Sequence, residues 1–257
     1  MTSNRIKIRP DSLRVVFLEM KFEEKRLAVG TAFVATLSKG AQRYLITARH
    51  NLTGRHAETG EPLHNQCAIP NRLSVHFHRT RSTGEPVSYE VVDYELQNAD
   101  GDNIWQEHPV LGSCADIAAM PIQSGDHVFT LPFDLSETAE RQTGPADPVS
   151  VLGFPFGKSS GSGLPIRATG YMASEPSMDF QGQPTFLIDC RGREGQSGAP
   201  VISFRSDGMV GHNQFQGAWT AATSDFLGLY CGRINDQSDL GLVWKGSAIV
   251  ELLSGSA

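Results

Sequence analysis

The chain has 257 residues, 39% hydrophobic and 19% charged, enough to bury the cores of two small domains or one large β domain. A formal charge of −6 without a dense Lys/Arg run argues against a nucleic-acid partner, and no apolar stretch approaches the roughly 20 residues of a membrane-spanning helix. Residues 1–20 lack the h-region of a signal peptide, so the expected setting is cytoplasmic, with Cys67, Cys114, Cys190 and Cys231 as reduced thiols; none forms a C-x-x-C pair, which argues against a zinc ribbon.

Short apolar runs bounded by turn residues follow one another along the chain. The first set is "LRVVFLEMKF" (13–22), "LAVGTAFVATL" (27–37), "QRYLITA" (42–48), "LSVHFHR" (73–79), "PVSYEVVDYEL" (86–96) and "DIAAMPI" (116–122). In 73–79 the alternation puts Leu73, Val75 and Phe77 on one face and predicts His76 and His78 on a solvent face. A polar stretch (123–147) separates a second set: "PVSVLGFP" (148–155), "LPIRATGYMAS" (164–174), "PTFLIDC" (184–190), "APVISF" (199–204), "FLGLYCGRI" (226–234) and "LGLVWKG" (240–246). Helical periodicity is confined to "SAIVELLSG" (247–255), where Ile249, Leu252 and Leu253 share a face. The pattern predicts an all-β chain with about six strands in each of two units, 1–125 and 126–257, or one large sandwich.

One stretch raises a chemical question. "GREGQSGAP" (192–200) sets Ser197 among glycines just ahead of a buried strand. A serine hydroxyl becomes a useful nucleophile only beside a base that is itself oriented, with N–H donors aimed at the developing oxyanion. Gly195 lets the backbone turn so that the amides of 195 and 197 face one point. Among the eight histidines, His50 ends a buried strand at "YLITARHN", while His56, His64, His108, His127 and His212 sit in polar stretches. Asp116 immediately precedes an apolar run; the acids at 93, 95, 100 and 102 compete from a more polar stretch. The order His50, Asp116, Ser197 is one of the known triad orders.

"TARH", "DIA" and "GQSGAP" resemble the three signature segments of the trypsin-like (chymotrypsin-fold) serine peptidases, and "GTAFV" resembles that family's strand before the histidine. More narrowly, "LITARHNLTGR", "GFPFG", "ATGYMASEP", "FLIDCRGREGQSGAPVI" and "LGLYCGRI" resemble a bacterial group of intracellular trypsin-like peptidase domains. The resemblance implies two six-stranded antiparallel β-barrels with a cleft between them, a short C-terminal helix, and no metal or organic cofactor. It implies His50 as general base, Asp116 as its orienter, Ser197 as nucleophile, and the amides of Gly195 and Ser197 as oxyanion hole. The implied partner is a protein or peptide substrate, with neither nucleic acid nor membrane; activity in a cytoplasm also implies control, for example by a regulatory protein partner.

Two departures qualify the resemblance. Gln196 stands where digestive members carry the Asp that pairs with a new N-terminus, so no cleavage-activated zymogen is expected. Arg191 stands where trypsin carries its specificity-setting Asp. The expected substrate pocket comprises Arg191, Gly192, Glu194, Tyr230, Gly232 and Arg233. Within it, Arg191 and Arg233 either favour an acidic residue through charge-assisted hydrogen bonds or point to solvent and pair with Glu194, and Tyr230 flanks and narrows the pocket. The rival functional expectation is a peptidase-fold sensor that captures peptides by strand addition without turnover.

Overall fold

The computed structural model describes residues 8–80, 86–122, 128–136, 143–205, 208–212, 215–220, 223–235 and 237–255; the expected boundary at 125/126 and His127 lie outside them. After a short helix α1 (Pro10–Leu13), strands β1 (Val15–Phe22), β2 (Lys25–Thr36), β3 (Arg43–Thr47), β4 (Arg72–Thr80), β5 (Pro86–Glu95), β6 (Gln106–Glu107) and β7 (Ala118–Pro121) form one sheet in the order β5-β4-β1-β2-β3-β7-β6. A two-residue strand β8 (Phe133–Asp134), past the expected boundary, adds parallel to β2. A short helix α2 (Arg49–Thr53) follows β3 directly.

The second half closes on itself. Strands β9 (Pro148–Gly153), β10 (Ile166–Met172), β11 (Thr185–Asp189), β12 (Ala199–Arg205), β15 (Thr223–Arg233) and β16 (Leu240–Lys245) make a barrel in the order β10-β11-β16-β15-β12-β9. A hairpin of β13 (Gly208–His212) and β14 (Phe215–Thr220) lies between β12 and β15 in the chain. The all-β architecture expected from the sequence is therefore present. One six-stranded barrel is closed, while the first sheet does not close among the described residues. The C-terminal helix α3 spans Gly246–Ser254, and no helix among the described residues is long and apolar enough to cross a membrane.

Side-chain alternation explains how the two halves join. Along the first sheet, Val16, Leu18, Ala32, Val34 and Leu45 point into that sheet's own core. Their neighbours Val15, Phe33, Ala35 and Ile46 point the other way, into a second core shared with Leu152, Ile202, Leu229 and Trp244 of the barrel. Helix α3 seals this seam with Ala248, Ile249, Leu252 and Leu253. On β4 the face expected to be solvent-facing is covered, so His76 and His78 are not exposed. His78 is buried, with Nε2 2.9 Å from the Val15 carbonyl, and burial lowers its pKa. His76 packs edge-on against Phe17 with Nε2 3.3 Å from Glu19. His108, expected in a polar loop, is also buried, 3.2 Å from Glu251 of α3.

Candidate active site

Strand register brings three distant parts of the chain to one place. Thr47 at the end of β3 pairs antiparallel with Ala118 at the start of β7. Three residues forward from Thr47 is His50, and two residues back from Ala118 is Asp116, so both emerge at the same end of the sheet. Thr47 also pairs with Ala32 on β2, and the neighbouring Thr31 amide donates to the Ser197 carbonyl at 3.0 Å. The residue just before β12 is thereby held against the first sheet.

Asp116 grips His50 twice. Its Oδ1 accepts the His50 backbone N–H at 2.9 Å, and its Oδ2 lies 2.7 Å from Nδ1. Asp116 is 6% exposed, which strengthens both interactions. Burial alone would lower the His50 pKa, but the charge and hydrogen bond of Asp116 outweigh it and the net shift is upward. The contact at Nδ1 makes that nitrogen the donor in the neutral ring and leaves Nε2 as the free acceptor.

The segment carrying Ser197 is held by its carbonyls. Phe156 N–H donates to the Glu194 carbonyl at 2.7 Å, Thr31 Oγ1 to that of Gly195 at 2.7 Å, and Asn51 Nδ2 to that of Ser197 at 3.0 Å. Among the described residues, neither the Gly195 nor the Ser197 amide has a protein acceptor. Gly195 sits at φ +88°, the left-handed region that a side chain disfavours, and a Cβ there would overlap the Phe154 carbonyl. Gly198, at φ +87°, passes so close to β2 and β3 that a Cβ would overlap the Thr31 carbonyl and Thr47 Oγ1.

Gln196 is buried, and its carboxamide oxygen accepts the Arg193 N–H at 2.8 Å while its own N–H donates to the Arg193 carbonyl at 3.1 Å. The loop is braced from within at the position where an ion pair was not expected. Ser197 Oγ donates to the Cys231 carbonyl at 2.9 Å, and among the described residues it makes no hydrogen bond to His50. A hydroxyl has one proton to give, and in this rotamer the backbone carbonyl takes it. Cys231 itself is no rival nucleophile: burial and then the nearby Asp116 charge push its thiol well above the ordinary range. Cys190 rises to about 11 for the same first reason, and all four cysteines are free.

The expected pocket residues divide. Gly192 and Tyr230 are in contact, and Tyr230 is buried, packed with the barrel core. Arg191 does not enter a pocket: its side chain is 83% exposed, with Nε 3.9 Å from Asp239. Glu194 is exposed and lines the cavity that also includes His50 and Ser197; Arg233 is exposed, and Gly232 pairs with Leu242 of β16 near the end of β15. Sequence reasoning missed Thr31, Asn51 and the inward position of Gln196. Thr31 and Asn51 carried a weak signal, as polar residues beside glycine and histidine in otherwise apolar segments. Among the described residues, no group of three or more His, Cys, Asp and Glu side chains is arranged to hold a metal ion.

A closed β-barrel joined through a buried seam to a second β-sheet, with these three side chains at the seam, defines the chymotrypsin-like class of fold. The model of the trypsin-like peptidase domain matches residues 30–211, and the chain belongs to that family. No curated protein matches its sequence. Among solved structures, it is similar to the active form of the Rv3671c protease of M. tuberculosis (17% identity, 95% of this chain and 81% of that one, TM-score 0.51). It is also similar to the serine endoprotease of Yersinia pestis (11%, 98% and 67%, TM-score 0.51) and to Tobacco Etch Virus protease (14%, 99% and 83%, TM-score 0.52). At these identities the likeness is one of fold.

Proposed function

We propose that this trypsin-like peptidase is a serine endopeptidase that works through an acyl-enzyme. The observation that carries the reading is the twofold contact of Asp116 with His50 beside a serine whose loop, among the described residues, leaves two amides unpaired. In the proposed cycle, a substrate strand pairs along β15 beyond Tyr230, where β12 has ended, and takes the Cys231 carbonyl as acceptor. Ser197 Oγ, released from that carbonyl, rotates toward Nε2 of His50. His50 removes its proton as Oγ attacks the scissile carbonyl, and the amides of Gly195 and Ser197 receive the oxyanion. The imidazolium, stabilised by Asp116, gives the proton to the departing amine; water then repeats the sequence on the ester.

A fluorophosphonate probe tests this directly. The expected result is stoichiometric labelling of the wild type, mapped to Ser197 by peptide mass spectrometry and absent in Ser197→Ala. A folded wild-type protein that takes up no label would favour the peptide-capturing sensor instead. Gly195→Val is expected to reduce kcat by about 10²–10³, the effect of one lost oxyanion donor, because the side chain overlaps the Phe154 carbonyl and turns the amide away. Steady-state kinetics on a protein whose circular dichroism matches the wild type would check it.

A further inference from the structure

The acyl side of Ser197, where trypsin-like peptidases were expected to read their substrate, is filled by the protein itself. Tyr230 is 1% exposed, and its hydroxyl lies so close to Gly192 that a methyl group there would overlap it. A Cβ on Gly241 of β16 would likewise overlap the ring. The ring therefore occupies the space between the 190–195 segment, β15 and β16. Two glycines accommodate a side chain of this chain where a substrate side chain would otherwise enter.

An open cavity lies on the other side of the nucleophile. It has a volume of about 360 Å³ and includes His50, Gly195 and Ser197 in its wall. The rest of the wall is more apolar than polar: Met20, Leu27, Ala28 and Val29 come from the β1–β2 hairpin and Leu63 and Pro70 from the segment after α2, while Asn51, His64, Asn65 and Glu194 are its polar members. Leu63 is half exposed at its rim. None of the lining residues belongs to β15, the strand proposed to hold the acyl half of the substrate. The cavity instead adjoins His50, which must hand its proton to the departing nitrogen. A substrate residue carrying that nitrogen would set its side chain against the cavity.

We propose that this peptidase reads its substrates chiefly on the leaving-group side: the cavity between the β1–β2 hairpin and residues 63–70 takes a large apolar side chain, and Tyr230 restricts the acyl side to small residues. The substrate class is a polypeptide with a small residue followed by Leu, Ile, Met or Phe across the scissile bond. The inference rests on the serine acyl-enzyme reading above. It assigns Tyr230 and Ala28 as specificity-determining residues rather than catalytic ones.

Acyl transfer separates the two claims. With N-acetylglycine p-nitrophenyl ester, Ser197 Oγ forms a bond to the acyl carbon, p-nitrophenolate leaves with the electron pair of its C–O bond, and the serine proton passes to His50 and from it to solvent, leaving the ring neutral. An added amino-acid amide then attacks in place of water: its nitrogen bonds to the acyl carbon, the C–Oγ bond breaks, and the amine proton returns to Ser197 through His50. Capture by leucinamide is expected to exceed capture by glycinamide by about 10- to 100-fold, the range that burying one large aliphatic side chain supports. In Ala28→Trp, which fills the cavity, that ratio is expected to fall to within about twofold of unity. The N-acetylglycine ester is expected to acylate the wild type at least about 10-fold faster than the N-acetylphenylalanine ester, with Tyr230→Val narrowing the gap. Equal capture of the two amides, or faster acylation by the phenylalanine ester, with a nitrophenolate burst present, overturns the inference and leaves the serine mechanism standing. Absence of any burst from folded wild type overturns the mechanism and the inference with it.

Discussion

Replacing Ser197 with alanine is expected to lower kcat for peptide hydrolysis by about 10⁶, the size of effect seen when a triad that acts as a unit loses its nucleophile. The change should be silent in the fold. Ser197 Oγ contributes one hydrogen bond, to the Cys231 carbonyl, whereas the loop is held by the backbone carbonyls of Glu194, Gly195 and Ser197, which alanine retains. The thermal midpoint is therefore expected to stay close to that of the wild type while turnover disappears. Residual activity would come from the oxyanion amides and binding alone and should remain above the uncatalysed rate. Comparing cleavage of one peptide by both proteins over hours to days, with unfolding followed by circular dichroism, checks both halves. Cleavage that persists at the wild-type rate in purified Ser197→Ala protein would falsify the assignment.

Asp116→Asn is expected to cost about 10⁴ in kcat, with little loss of fold. The asparagine can still accept the His50 backbone N–H with its oxygen. Its amide N–H then faces Nδ1, which becomes the acceptor, so the ring proton sits on Nε2, where a base needs a free lone pair. The pH profile carries a second signature. Burial lowers the His50 pKa and Asp116 more than restores it, so the wild-type imidazole stays protonated above the ordinary value of about 6.5. A general base works only when neutral, so the acid limb of kcat/KM should lie above that pH in the wild type. Removing the carboxylate leaves burial unopposed and should move the limb down. A profile between pH 4 and 9 for both proteins reads the direction; a limb that moves up in Asp116→Asn would show that another group sets it.

The readiness of the loop follows from the same geometry. Its carbonyls are tied to β2, α2 and the Phe154–Gly157 turn, and Gln196 closes it from within through Arg193. In the proposed mechanism one rotation of the Ser197 side chain, from the Cys231 carbonyl toward His50, precedes attack, and the substrate strand supplies the cause by claiming that carbonyl.

The sequence by itself determined the all-β class, because strand alternation and turn residues are local properties that a few neighbouring positions express. It also singled out His50, Asp116 and Ser197, each marked by its position at the end or start of an apolar run, and Gly195 and Gly198, whose backbones must bend. Helix α3 was legible for the same reason, since Ile249, Leu252 and Leu253 repeat at helical spacing. Tertiary structure alone decided the rest. His78 is polar at an alternating position and reads as exposed, yet it is buried against the start of β1, with Nε2 2.9 Å from the Val15 carbonyl. Arg191 reads as a pocket residue by its distance from Ser197, yet its long chain reaches solvent and Asp239. Tyr230 reads as a pocket margin, and only the fold shows its ring filling the space between Gly192 and Gly241, on two other segments of the chain. The cavity beside His50 is built by a hairpin and a loop with no shared motif. Which side chain fills a space and which space stays empty depends on strands brought together by register and barrel closure, and no local pattern encodes that meeting.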